Sequence, residues 1–306
     1  MRIAAVDLVS NTCFPALAAQ ELGFFKEEGL DAQIELVSQI GATRALREGS
    51  ADAMIAGSVH DLLREFPGWE GAKLLVALSQ GTPWLLTVRA DLSAERGDLQ
   101  ALKGSRLTAA EGPDLVFKRL LAAGQLNPEV DVKWVHLPGS EARDVSFGVF
   151  AARGLEAGLI DGFWSNAMGS ATAVASGVGK VHVDVRRGDD PSDVRHCTFA
   201  GLGTTDAFIE QEPEQAAAAV RAIVKAQKAL RTDPGRAAKV GEGLFPADAT
   251  ELITSLVEQD APFYEPAISE EAVLNLNNFA QSVGHLPGPV PYEKVAAVQF
   301  RELWEG

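Results

Sequence analysis

Short apolar runs of strand length alternate with amphipathic stretches through most of this chain. Ile3–Leu8 is apolar and partly branched, and it predicts a strand. Pro15–Leu22 follows, a run of good helix formers ended by Gly23. Ala32–Val37 alternates and predicts a strand with one wet face, near a sheet edge. Ala42–Glu48 predicts a short helix closed by Gly49, and Asp52–Ala56 a buried strand. Leu74–Leu78 and Trp84–Val88 predict two more strands. This βαβα order points to an α/β fold, with a mostly parallel sheet covered by helices.

After Arg89 the character changes. Asp91–Lys103 is polar and loop-rich, and then a second series begins. Its predicted strands are Leu107–Ala110, Val132–His136, Gly162–Trp164 and Val181–Val185. Its predicted helices are Pro113–Ala123, Ala142–Arg153 and Ala167–Ser176. The polar segment Arg186–Arg195 leads back, and Thr198–Gly203 reads as a strand re-entering the first series. The remainder predicts helices over Glu212–Leu230, Gly235–Gly241, Asp248–Glu258, Ser269–Val283 and Tyr292–Leu303. The expected organisation is a discontinuous αβ lobe from residues 1–88 and 198–306, with residues 89–197 inserted as a second lobe. Two chain crossings of this kind imply a cleft with a two-strand hinge.

Composition narrows the partners. The hydrophobic share of 46% and charged share of 23% are those of an ordinary globular chain. A net charge of −15 argues against nucleic acid or an anionic membrane surface. No apolar run approaches bilayer length, so no membrane insertion is expected. Met1–Ala4 enters a strand pattern directly, without the features of an export leader. As written, the chain therefore reads as cytoplasmic, or as periplasmic if a leader has been removed. Cys13 and Cys197 make no disulfide framework and read as free thiols. His136, His182, His196 and His285 show no metal spacing, and no phosphate-loop, dinucleotide or nucleophile-elbow motif occurs. Neither a metal nor a cofactor is expected.

The candidate chemistry gathers where strands feed helices. Ser10, Asn11, Thr12 and Cys13 lie between the first strand and the first helix, and Pro15 suits that helix's first turn. Helix N–H groups at the carboxyl edge of a sheet suit a polar or anionic ligand. The simpler alternative is that one of these three polar residues only caps the helix. Gly57-Ser58-Val59-His60 repeats the theme. Cys13 at a helix start can be a stabilised thiolate or a small buried apolar group. His60 can be an acid–base group or a contact residue with no proton to move. Trp164 can floor an aromatic or amide ligand, or it can belong to a core.

Several motifs carry a family resemblance. They are Ala18–Leu30, Glu48-Gly49-Ser50-Ala51-Asp52-Ala53, Asp98–Gly104 and Ala157–Gly162, then Asp233-Pro234, Pro266–Ser269 and Val290–Glu293. Together they resemble, over nearly the whole chain, the bacterial solute-binding proteins for nitrate, sulfonate, taurine and thiamine-pyrimidine precursors. The resemblance implies a two-lobed, type II periplasmic-binding fold that closes over a small molecule. It implies ligand contacts at Ser10, Asn11, Thr12, Cys13, Gln39, Gly57, Ser58 and His60, and in the second lobe at Glu111, Gly112, Trp164 and Asn166. It also implies a possible partner in an ABC permease.

The same family includes the thiamine-pyrimidine synthases and the sulfinate desulfinases. The synthase activity is set aside, because the position of its pyridoxal-phosphate lysine falls near Ala56 and its cysteine-rich iron motif is missing. The leading expectation is a small-molecule binder of the transporter type. The alternative is a cytoplasmic enzyme, of hydrolase, desulfinase or lyase type, with Cys13 as nucleophile and His60 as acid–base.

Overall fold

The computed structural model describes residues 1–38, 41–142, 145–242 and 244–305. The chain separates into two compact units, one of residues 1–81 with 198–306 and the other of residues 82–197.

In chain order the first unit begins with β1 (Arg2–Ala5), α1 (Phe14–Glu21), α2 (Phe24–Glu27), β2 (Gln33–Leu36) and α3 (Gly41–Arg47). It continues with β3 (Ala53–Ala56), α4 (His60–Glu65) and β4 (Ala72–Ser79). The second unit holds β5 (Leu85–Arg89), β6 (Arg106–Ala109), α5 (Pro113–Ala123), β7 (Lys133–Trp134), α6 (Phe147–Glu156), β8 (Gly162–Ser165), α7 (Ala167–Ala175) and β9 (Gly179–Asp184). The chain then returns to the first unit with β10 (Ala200–Thr205), α8 (Asp206–Gln211), α9 (Pro213–Thr232), α10 (Arg236–Gly241), α11 (Ala247–Asp260), α12 (Glu270–Ser282) and α13 (Tyr292–Val295).

Each unit is a five-stranded sheet flanked by helices, in the orders β2-β1-β3-β10-β4 and β7-β6-β8-β5-β9. Both sheets are mixed, and in each a single strand runs against the direction of the rest. β1 pairs parallel with β2 and β3, whereas β10 runs antiparallel to β3 and β4. In the second sheet β6 pairs parallel with β7 and β8, and β5 runs antiparallel to β8 and β9. The antiparallel member is in each case the strand next to a crossing between the units. It arrives without a covering helix to turn it round, so it enters in the opposite sense.

Burial explains which runs became which strands. β3 and β8 are buried at every position, as central strands should be, while β2 alternates at a sheet edge. Trp84–Val88, expected to end the first lobe, instead supplies β5 of the second sheet, and the first crossing falls at 81/82 rather than 88/89. Leu85–Val88 is buried throughout, and such a run carries no alternation to say which sheet it joins. Two helix expectations also change. Ala142–Arg153 starts late, at Phe147 in α6, with 143 and 144 outside the described residues. Tyr292–Leu303 breaks at Ala296, which is extended and bridges Leu74, and Ala297 N donates to the Leu74 carbonyl at 2.9 Å.

The first unit's core forms around α9, whose Ala219, Val220, Ile223, Ala226 and Leu230 are buried with Phe14, Trp69 and Tyr264. Each large side chain fully buried in this way contributes about 1.5–3 kcal/mol. In the second unit, α6 and α7 touch through Gly148 and Gly169. A Cβ at Gly169 would lie 2.5 Å from the Gly148 backbone, so only glycine permits this approach.

Candidate functional site

β1 and β3 run parallel, so both release the chain at the same edge of the first sheet. β10 runs the other way, with Gly201 opposite Ala56, so the residues just before it arrive at that edge too. Three segments meet there: Val6–Cys13, Gly57–Val59 and Thr198–Phe199. Val59 N donates to the Phe199 carbonyl at 3.1 Å, and the hydroxyls of Ser58 and Thr198 are 3.0 Å apart. A Cβ placed on Gly57 would lie 3.9 Å from Cys13 Sγ, so the first two segments are also in reach of each other. Asp7 Oδ1 accepts from Val9 N at 2.8 Å and shapes the first loop.

Ser10, Asn11, Thr12, Cys13, Ser58, His60 and Thr198 are all buried. None of the three polar residues caps α1. The N-cap is Cys13, without a side-chain hydrogen bond, while the Ser10 and Thr12 hydroxyls pair with each other at 3.0 Å. Asn11 is held from two sides by the C-terminal part of the chain. Its Nδ2 donates to Asp260 Oδ2 at the end of α11, and Tyr264 Oη donates to its backbone carbonyl at 2.6 Å. A carboxylate accepts hydrogen bonds, so it fixes the amide with nitrogen toward Asp260 and oxygen away. Asn11 Oδ1 is buried with no hydrogen-bond partner among the described residues. Leaving such an acceptor unmatched costs about 1–3 kcal/mol, and in native structures it calls for an explanation.

Cys13 is a buried thiol at the N-cap of α1. Burial pushes its thiol up to about 12; hydrogen bonding with Ser10 and Thr12 opposes the rise, and the nearby Asp7 charge adds to it. His60 opens α4, a helix with no side-chain cap, and its ring meets Phe279 of α12 edge-on at 4.8 Å between centroids.

The corresponding edge of the second unit is different. Glu111 is exposed, and Gly112 begins α5 with a φ of 95°, a conformation open to glycine. Asn166 accepts from Gly169 N at 3.1 Å and so caps α7. Trp164 is fully buried, stacked on Phe117 at 5.5 Å and tilted against Trp84 at 6.3 Å. It is a core residue here, not an open ligand floor. At the opposite strand edge of this unit, a cavity of about 420 Å³ is lined by Arg89, Lys103 and Asp161. Its charges answer one another: Arg89 bridges Asp91 and Asp161, Lys103 meets Asp131, and Arg106 holds the Asp161 carboxyl down at about 2.

The structure thus gathers Ser10, Asn11, Thr12, Cys13, Gly57, Ser58 and His60 at one sheet edge. Gln39 lies outside the described residues. Sequence reasoning missed Thr198, Asp260, Tyr264 and Phe279. Thr198 was legible in principle, because it directly precedes a strand that re-enters the first sheet. Asp260 and Tyr264 lie between the predicted helices Asp248–Glu258 and Ser269–Val283, in a stretch that carries no element signal of its own. Among the described residues no group of three or more His, Cys, Asp or Glu is placed to hold a metal, and no helix is long and apolar enough to cross a membrane.

Two α/β units of this topology make a fold of the periplasmic-binding type. The profile of the NMT1-like family matches residues 87–244, just over half of the chain, and the chain belongs to that family. Among curated proteins, the nitrate import ATP-binding protein NrtC of Synechocystis sp. is 26% identical over 237 residues, which cover 70% of this chain and 32% of NrtC. This chain spans 32% and 43% of the length of the two curated relatives it matches. Among solved structures, the putative periplasmic sulfonate-binding protein SsuA of Methylobacillus flagellatus KT is similar with a TM-score of 0.69 at 18% identity, over 98% of this chain and 92% of that one. The desulfurization enzyme DszB is similar with a TM-score of 0.67 at 19% identity, over 98% of this chain and 97% of that one.

Proposed function

We propose that this protein binds a small polar organic molecule at the buried polar edge of its first sheet. In this reading it serves as the recognition component of an ABC-type import system. The observation that carries the reading is Asn11, an amide locked by Asp260 and Tyr264 whose oxygen is left without a protein partner. A rigid acceptor kept unmatched at a strand tip, among hydroxyls, suits a recognition site. Ser10, Thr12, Ser58 and Thr198 surround the same edge with hydroxyls, and Cys13 and His60 complete it. The relatives named for nitrate import and sulfonate binding support the same reading. A membrane-spanning permease is then the expected partner, on the outer side of its membrane.

The alternative, an enzyme using Cys13 and His60, draws support from the fold shared with DszB. Against it stands the Cys13 thiol, pushed in the direction opposite to that of a working nucleophile.

The test is a thermal-shift screen of sulfonates, carboxylates, nitrate, ureas and pyrimidines. At one hundred times its dissociation constant, a true ligand adds about 2.7 kcal/mol to stability. Asn11→Ala should abolish the shift and Cys13→Ser should keep it. A shift that survives Asn11→Ala would move the site elsewhere.

A further inference from the structure

We infer that the molecule held at this edge carries an N–H or O–H donor, as an amide, urea, amine or hydroxyl group does, and is not an anion made of acceptors alone. The inference rests on the binding reading above and names the ligand chemistry within it.

The polarity of the site is set by Asp260. An asparagine amide can present either end to a ligand, but here the carboxylate takes the Nδ2 hydrogen and leaves Oδ1 as the group on offer. The hydroxyls beside it impose no polarity. Ser10 pairs with Thr12 and Ser58 with Thr198, each pair 3.0 Å apart, and a hydroxyl can turn to donate or to accept. Asn11 Oδ1 is therefore the group of fixed sense among them, and its sense is that of an acceptor.

Charge points the same way. Ser10, Asn11, Thr12, Cys13, Ser58, His60 and Thr198 include no lysine or arginine, and the charged group bonded to Asn11 is a buried carboxylate. An acceptor-only anion at Asn11 would set its own lone pairs against that of Oδ1. A ligand N–H or O–H would instead complete the hydrogen bonding of Oδ1. Asn11 is fully covered, so the donor reaches it with movement of the loop that carries it.

Nitrate and urea test this directly. Both are planar and of nearly equal size, but nitrate only accepts hydrogen bonds whereas urea also donates them. Ethanesulfonate and taurine form a second pair, differing by an added ammonium group. Titration calorimetry on the whole chain should show the donor-bearing member of at least one pair binding about tenfold or more tighter than its mate. Asp260→Asn frees the Asn11 amide to turn over, and it should bring that ratio toward one. The parent comparison needs no variant, so it stands even if Asp260→Asn folds poorly. Nitrate and ethanesulfonate each binding as tightly as its mate, with the binding lost in Asn11→Ala, would overturn this inference and leave the binding site intact. Urea or taurine binding that is unaffected by Asn11→Ala, or no binding by any member of the screen, would overturn the binding reading and this inference with it.

Discussion

The two units share one sheet plan and put it to different use. β1, β2, β3 and β4 correspond in order to β6, β7, β8 and β9, and β10 takes the place that β5 takes in the second sheet. At the tips of β1 and β3 the first unit buries hydroxyls and an amide, and it leaves Asn11 Oδ1 unmatched. At the tips of β6 and β8 the second unit exposes Glu111, uses Asn166 as a helix cap and packs Trp164 among aromatic rings. Topology fixes where a site can be; the side chains at those places decide whether one is built.

The comparison breaks most visibly at Trp164. If it is core, Trp164→Ala should lower stability by about 3–5 kcal/mol, read from the shift of the urea midpoint. A change well under 1 kcal/mol would return Trp164 to the recognition surface and make the two edges alike.

The thiols sharpen the comparison next, because each unit buries one. Burial pushes both Cys13 and Cys197 up to about 12. An unfolded thiol ionises near about 8.5, so above that pH the unfolded chain sheds protons that the folded chain retains. Stability should therefore fall as pH rises from about 8.5 toward about 12, by up to about 1.4 kcal/mol per pH unit for each thiol. By pH 10 the loss is about 2 kcal/mol per thiol, and Cys13→Ala and Cys197→Ala should each remove one such slope. If only Cys197→Ala does so, Cys13 is ionised in the folded protein and the enzyme reading gains.

The smallest effect is expected at Tyr264. Tyr264→Phe removes the donor to the Asn11 carbonyl and should cost about 1 kcal/mol in urea titration. Ligand affinity at the first edge should weaken with it. Unchanged affinity would mean that Tyr264 holds the loop without holding the amide.

The α/β class was legible because strand and helix runs alternate with clear punctuation, and the periplasmic-binding type only through the family resemblance of motifs such as Ala18–Leu30. Pro113–Ala123 became α5 residue for residue, and Ser269 caps α12 by accepting from Ala272 N at 3.0 Å. Sheet membership was not legible for β5, since a run buried on both faces matches either sheet. The site was legible in its local half: Ser10–Cys13 and Gly57–His60 announce themselves by following strands. Its distant half was not. Asp260 and Tyr264 reach Asn11 across 249 and 253 residues of chain, and no local pattern encodes a partner that far away.

The place of β10 in the first sheet has a consequence for how the protein is made. β4 finds its strand partner in β10, and β10 is also what joins β4 to β3. A ribosome delivers β4 well over a hundred residues before β10, with every strand of the second sheet in between. The second unit's sheet can therefore be complete while the first is still divided by a missing middle strand, with the edges of β3 and β4 unpaired. The half of the molecule that starts first is the half that finishes last.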